Sequence, residues 1–371
     1  MTDETWLSAI GLMSGTSLDG VDAALINTDG ERVGRLGPTA YRPYTDGERG
    51  ALIAALAAAR GLTDRTARPP AIAEAEAVVT GVHAEVVEAL IVAHGIDRGS
   101  IAAVGFHGQT LLHRPEKRLT VQIGDGHALA SRLGLPVVYD FRAADVAAGG
   151  EGAPLVPPFH RALVGHLDRK HPIAVLNLGG VANITYIDGE RDPIACDTGP
   201  GNALIDDFVR LRTGQPCDRD GALAAEGRPD TDFIASVLAQ AFFRRPPPKS
   251  LDRNDFGDLD LARFSNADGA ATLTALTAAC VAGVVRHLPS VPAHWIVAGG
   301  GARNRTLMRM LREQLAPASM ETADAVGWSA DALEAQAFAY LAVRTLRGLP
   351  ITYPGTTGVP HAMPGGLVAQ A

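Results

Sequence analysis

The chain has 371 residues, of which 46 % are hydrophobic and 20 % charged, with a formal net charge of −8. That length exceeds what one hydrophobic core supports, so two domains are expected, in a chain with the composition of a soluble globular protein. The negative balance, with no Lys/Arg run interleaved with aromatics, disfavours nucleic acid as the main partner; Cys196, Cys217 and Cys280, widely spaced and without a CxxC pair, argue against a disulfide framework or a cysteine zinc site.

The polar start Met-Thr-Asp-Glu-Thr carries no secretory signal, and the apolar stretch over 272–285 is too short and threonine-rich to span a bilayer, so a cytoplasmic protein is expected. Apolar residues on both sides of 11–22 predict two short strands joined by a turn of Gly, Ser, Thr and Asp. This turn, with Gly15, Thr16, Ser17, Leu18, Asp19, Gly20, Val21 and Asp22, offers backbone N–H groups and small hydroxyls, and its glycines let an anion approach closely. The carboxylates of Asp19 and Asp22 can face a phosphate only with a divalent cation or a bridging water between, which points to a nucleotide phosphate with magnesium. A polar hairpin tip with Asp-Gly turn chemistry is the alternative.

Helical spacing of Val78, Val82, Val86 and Leu90 predicts a helix over 71–94, after another over 51–59. Short strands follow at 101–106, 119–123 and 136–140. Residues 147–158 are too rich in Gly and Pro for helix or strand and read as a functional loop near a domain crossing. The hairpin over 173–187 then repeats the layout of the first, as an internal duplication would. A strand at 193–196, a helix from 201, a long helix over 270–287, a strand at 295–298 and a helix over 304–315 come next. A last helix over 330–347 stops at Gly348 with Pro350 beyond. Strands and helices alternating in two halves predict two α/β domains with mixed sheets around an interdomain cleft. The expected division is 1–135 and 136–371, with the C-terminal helix region able to pack back on the first.

Three glycine-rich turns follow strands: 15–20, Gly179-Gly180 with Asn183 nearby, and Gly299-Gly300-Gly301. Each alone is an ordinary turn. Together they suggest two hairpins clasping phosphates and a third turn against an adenosine. No GxxxxGK[ST] occurs, and no GxGxxG follows a first strand, so P-loop and dinucleotide folds are disfavoured. In Cys196-Asp-Thr-Gly-Pro-Gly-Asn202, Asp197 stands at the end of a buried strand. There it is either a general base, an effect of ~10²–10⁴-fold in rate, or the N-cap of the next helix. Asn202 as the cap would free Asp197. His107, Gln109, Gln122, Asp125, Asp140 and Arg142 also sit at strand ends, where each alone reads as a satisfied structural group. Together they read as a hydrogen-bonding floor for a polyol, with Arg142 able to grip a substrate carboxylate in bidentate fashion. His107 and His113 lack a third ligand at metal spacing.

The pieces GLMSGTSLDGVD, GFHGQT, QIGD, DFR, GAPLVPPFH, LNLGGVANIT, DTGPGN, PKS and VAGGGARN, with the helix region over 323–340, resemble in order the anhydro-N-acetylmuramic acid kinase family. The resemblance implies two RNase H-like domains of the actin-like ATPase and sugar-kinase fold. It implies an ATP-dependent enzyme that opens the 1,6-anhydro ring with water and phosphorylates O6, giving N-acetylmuramate 6-phosphate and ADP in peptidoglycan recycling. It further implies Asp197 as base, ATP phosphates with magnesium at the 15–22 turn, and a homodimer. Glu334 on the late helix reads as a substrate or linker residue, with a surface salt bridge as the alternative. Glu151 stands where the family commonly has Gln, and Leu251-Asp252 where it has Thr-Gly. A kinase of the same fold acting on another sugar, and an actin-like or chaperone-like ATPase, are the rival readings; the latter needs an interaction domain for which no spare segment is evident.

Overall fold

The computed structural model describes residues 6–15, 17–251 and 255–371. The chain forms two compact units, one of residues 1–165 with 331–371 and one of residues 166–330. The first opens with β1 (Leu7–Ser14), β2 (Gly20–Thr28), β3 (Val33–Pro43), β4 (Ile101–Phe106), β5 (Gln109–Arg114), β6 (Leu119–Ile123) and β7 (Val137–Tyr139). The second holds β8 (Ile173–Leu178), β9 (Val181–Ile187), β10 (Ile194–Pro200), β11 (His294–Ala298) and β12 (Ser319–Thr322). The chain closes in the first unit with β13 (Leu367–Ala369).

The first sheet has the order β13-β7-β4-β1-β2-β3, and the second β10-β9-β8-β11-β12. In the first, β1, β2 and β3 run as an antiparallel meander and β4 and β7 continue parallel to β1. In the second, β8, β9 and β10 form the meander and β11 and β12 run parallel to β8. The same five-strand pattern thus occurs twice, with a glycine-bearing hairpin at the same place in each, as expected of two RNase H-like halves.

Alternation along β1 shows how unit 1 covers both faces of its sheet. Ile10 and Leu12 join a core with Ile72, Val79, Val82 and Leu90 of the helix Pro70–His94. Gly11, between them, faces the other way, and a Cβ there would run into the Ala335 carbonyl and the Ala339 amide of the helix Leu333–Leu346. Unit 2 is centred on the helix Asn266–Val284, buried around most of its circumference. Both core helices have the length and apolar character of a membrane span, and the buried side chains of each join its own unit's core.

The division differs from the expected break at 135/136. Residues 137–139 stay in the first sheet because β7 pairs with β4, Val104 opposite Val137, and the chain leaves that unit only after Gly165. The last helix returns to the first sheet because glycines at 11 and 105 let its backbone lie directly on β1 and β4. Strand β3 has no clear sequence signal, since Gly37 and Pro38 interrupt it; its place at the sheet edge tolerates the proline.

Candidate active site

The first glycine turn joins β1 to β2. Thr16 lies outside the described residues. The Ser17 hydroxyl donates to Asp19 Oδ1 (2.7 Å), Tyr44 N–H donates to the Asp19 carbonyl (2.9 Å), and Leu18 takes a left-handed φ of 54°. The side chains of Leu18 and Val21 are buried in the core, so only their backbone is available to a ligand. Asp22, on β2, is pushed up to about 6 by crowding from the surrounding protein and then by the carboxylates of Asp19, Glu334 and Asp331. Burial raises Glu334 too, with the Arg142 charge opposing the shift.

Gln109 lies under this turn. Ser14 Oγ donates to its Oε1 (2.5 Å), its Nε2 donates to the Gly15 carbonyl (3.2 Å), and Tyr44 OH meets the same Ser14 hydroxyl (2.9 Å). The cause is topological, since β5 leaves the end of β4, the neighbour of β1. Replacing Gln109 by Leu keeps the volume but takes an acceptor from Ser14 and a donor from the Gly15 carbonyl, a cost of about 1 kcal/mol or more. The expected result is a loss of that size in unfolding free energy, read as a lower midpoint in a urea titration.

Asp125 has a structural role. Its carboxylate caps the helix Gly126–Leu133, accepting from His127 N (2.9 Å) and Ala128 N (3.0 Å). His107, Gln122 and Asp140 do come together, lining a cavity of about 300 Å³ in unit 1 with Arg65, Thr66 and Tyr139. Arg142 Nη2 donates to His107 Nε2 (3.0 Å). Arginine can only donate, so Nε2 is the acceptor and Nδ1 carries the proton; that Nδ1–H is buried without a partner, as is Gln122 Oε1. Burial and then the Arg142 charge hold the His107 imidazole well below the usual range, so it stays neutral. Arg142 Nη1 donates to the Gly152 carbonyl (2.8 Å), which ties down the glycine-rich loop. Both terminal nitrogens are thereby engaged, and the bidentate grip expected of Arg142 gives way to this internal role. Arg65, Thr66 and Arg68 were not singled out in the sequence. Their signal was a Thr-Asp-Arg-Thr-Ala-Arg cluster between two alanine-rich helices.

In unit 2, the remaining glycine turns meet at one end of the sheet. Gly299, at φ 83°, admits no Cβ, which would lie 2.5 Å from Asn177 Oδ1. Gly301 packs against Leu178 and Asn202, and a Cβ there would lie 2.7 Å from Asn202 Oδ1. Asn202 N–H donates to the Gly179 carbonyl (2.7 Å), Gly201 N–H to the Gly180 carbonyl (3.0 Å), and Asn202 Nδ2 to the Leu178 carbonyl (2.8 Å). Asn202 therefore belongs to the cluster of Gly179, Gly180, Gly299, Gly300 and Gly301. It is the first residue of the helix Asn202–Thr213, whose cap is Gly201 without a side-chain bond, so neither Asn202 nor Asp197 caps it.

Asp197 lies inside β10, not in a turn after it, and a register shift separates it from Gly199. Its strand partner is Asn183, and Asn183 is paired in turn with Asn177 on β8. Opposed residues on adjacent strands share a face, so the three form one polar row. Asp197 N–H donates to the Lys249 carbonyl (2.9 Å), and Leu251 N–H donates to Asp197 Oδ2 (2.7 Å). Burial pushes the Asp197 carboxyl up to about 6, against the Leu251 N–H and the Lys249 charge. Lys249 is itself buried, its ammonium held by the Phe242 carbonyl (3.1 Å) over the Phe242 ring. The 249–251 segment is thus the support of Asp197, including Leu251 where the sequence departs from the family pattern.

The family model for anhydro-N-acetylmuramic acid kinase matches residues 7–370. The anhydro-N-acetylmuramic acid kinase of Nitrobacter winogradskyi is 63% identical over 364 residues, covering 98% of this chain and 100% of that protein. The protein of the same name from Rhodopseudomonas palustris strain BisB18 is 62% identical with the same coverage. Component A of the Acidaminococcus fermentans (R)-2-hydroxyglutaryl-CoA dehydratase aligns at a TM-score of 0.47 and 10% identity, covering 91% of this chain and 99% of that one. A continuous match over nearly the full length, at such identity, settles the family: this chain belongs to the anhydro-N-acetylmuramic acid kinases.

Proposed function

We infer that the chain uses ATP to phosphorylate O6 of anhydro-N-acetylmuramic acid while water opens the 1,6-anhydro ring, with Asp197 as the base. The products are N-acetylmuramate 6-phosphate and ADP, a step of peptidoglycan recycling. The observation that carries this reading is a carboxylate raised to about 6, oriented by one backbone N–H on Oδ2, with no bond to Oδ1 among the described residues. Such a group accepts a proton near neutral pH. Water gives its proton to Asp197 and its oxygen to C1, the C1–O6 bond breaks, and O6 takes the γ-phosphoryl group as ADP departs. The carboxylate plays the part of the base in an inverting glycosidase, and the phosphoryl group replaces the general acid.

The backbone of 15–22 and the cluster of Gly179, Gly180, Gly299–Gly301 and Asn202 are proposed to hold ATP; Asn183 lies beside the base. His107, Gln122 and Asp140 are proposed to hold the sugar, supported by Arg142 and Glu334. Magnesium fits Asp19 and Asp22, directly or through water: the site offers hard carboxylate oxygens, and Asp22 is raised by burial and then by the Asp19 charge, which a cation would relieve. When bound it would neutralise charge on the transferring phosphoryl group. An ATP-consuming reaction and three free cysteines support a cytoplasmic location, and the family resemblance supports a homodimer.

Oxygen-18 water tests the chemistry: label at C1 of the 6-phosphate is expected, and phosphorylation with the ring still closed would sink it. The base also sets a pH profile. Below about 6 Asp197 is protonated and cannot accept the water's proton, so log kcat/KM should climb with unit slope and level off above that value. Lys249→Met removes a charge that favours the ionised form and should move the inflection upward; an unmoved inflection would assign it to another group.

A further inference from the structure

The connection between the helices Asp46–Ala59 and Pro70–His94 puts two arginines at the unit 1 cavity, and they do different things. Arg68 is fully engaged. Its Nε donates to Glu76 (2.9 Å), its Nη1 to the carbonyls of Arg65 (3.0 Å) and Ala67 (3.2 Å), and its Nη2 to the Gln122 carbonyl (3.3 Å). It staples the connection to β6 and fixes the backbone of Arg65. Arg65 has one hydrogen bond, from Nη2 to Asp140 Oδ2 (2.5 Å). Its Nε is buried without a partner, and its Nη1 has no hydrogen bond among the described residues. Asp140 holds this pairing from a left-handed backbone at φ 56°, a conformation that costs energy in a residue other than glycine.

A guanidinium restrained at one nitrogen, with further donors uncommitted at the edge of a cavity, is arranged to receive a planar anion. Arg142, beside His107, shares an unpartnered buried Nε but has both terminal nitrogens taken by Gly152 and His107. Resting on the sugar reading above, the anion is defined by chemistry: muramic acid differs from glucosamine by a lactyl ether, which ends in a carboxylate. We propose that Arg65 recognises this lactyl carboxylate, making the 60–69 connection the element that separates anhydro-muramic from anhydro-glucosamine sugars.

The test is a cycle between enzyme and substrate. Arg65→Ala and conversion of the lactyl carboxylate to its carboxamide should each lower kcat/KM roughly 10- to 100-fold, mainly through KM. Combined, they should cost little more than either alone, and Arg65→Lys should recover part of the loss. Losses that multiply when combined, or a wild-type enzyme indifferent to the carboxamide, would overturn the proposal. The carboxamide arm uses the unaltered protein, so it stands even if a variant folds poorly. A wild-type enzyme that fails to phosphorylate the parent sugar would overturn the substrate reading itself, and the proposal with it.

Discussion

Asp197→Asn is expected to lower kcat by about 10²- to 10⁴-fold with little change in fold, because it removes proton acceptance and almost nothing else. The replacement has the same shape and keeps an oxygen for the Leu251 N–H, so the 249–251 segment stays docked. Its neighbours in the polar row, Asn183 and Asn177, are already amides and tolerate another. What disappears is the group whose burial raises it to about 6. ADP release measured with the anhydro sugar at pH 8 reads the loss, and the inflection near pH 6 should vanish with it. Turnover within about threefold of wild type would show that another group activates the water. Asp197→Ala should also lose stability, since the Leu251 amide then loses its acceptor, at about 1–3 kcal/mol.

The second large effect concerns the return of the last helix to the first sheet. Gly105→Ala is expected to destabilise unit 1 by at least about 3 kcal/mol, beyond ordinary overpacking. The added carbon would overlap the Phe338 carbonyl, a backbone group that no rotamer change can move, with the Ala342 methyl 3.2 Å away. Gly11→Ala meets the same helix at Ala335 and Ala339 and should act alike. Either change must lift the helix Leu333–Leu346 from β1 and β4, and Phe338 carries the ring that stacks on His107 (centroids 4.7 Å). Gly283→Ala is the control. It lies in the helix Asn266–Val284 with nothing within 4 Å of a new Cβ, and should be neutral or stabilising by about 0.5–1 kcal/mol. Urea titrations of the three variants decide the matter, and an unchanged midpoint for Gly105→Ala would show that helix and sheet are not in backbone contact.

Both predictions rest on features that differ in how far the sequence disclosed them. The hairpins were plain, because their apolar flanks and glycine turns are local signals, and so were the long helices over 71–94 and 270–287. The edge strands β3 and β12 were not. β3 carries Gly37 and Pro38, and β12 has four residues, so pairing with a neighbour, not pattern, makes them strands. Gln109, Asp125 and Asn202 are polar residues at element ends, and sequence cannot tell a group that faces a ligand from one that satisfies the protein's own backbone. Tertiary contacts took all three: one under the first turn, one as a helix cap, one among the glycine turns.

Local chemistry by itself determined the repeated α/β halves, the glycine turns, the acidic pair Asp19 and Asp22, and Asp197 as a strand-borne carboxylate worth testing. These are properties of neighbouring residues, and neighbours are what a sequence displays. Only the tertiary structure decided that residues 331–371 rejoin the first sheet, that Lys249 and Leu251 support a carboxylate some fifty residues earlier, and that Arg65 keeps an unbonded terminal nitrogen while Arg142 has both engaged. Each of these depends on which hydrogen-bonding groups are left over once distant segments have packed together, a balance struck in three dimensions.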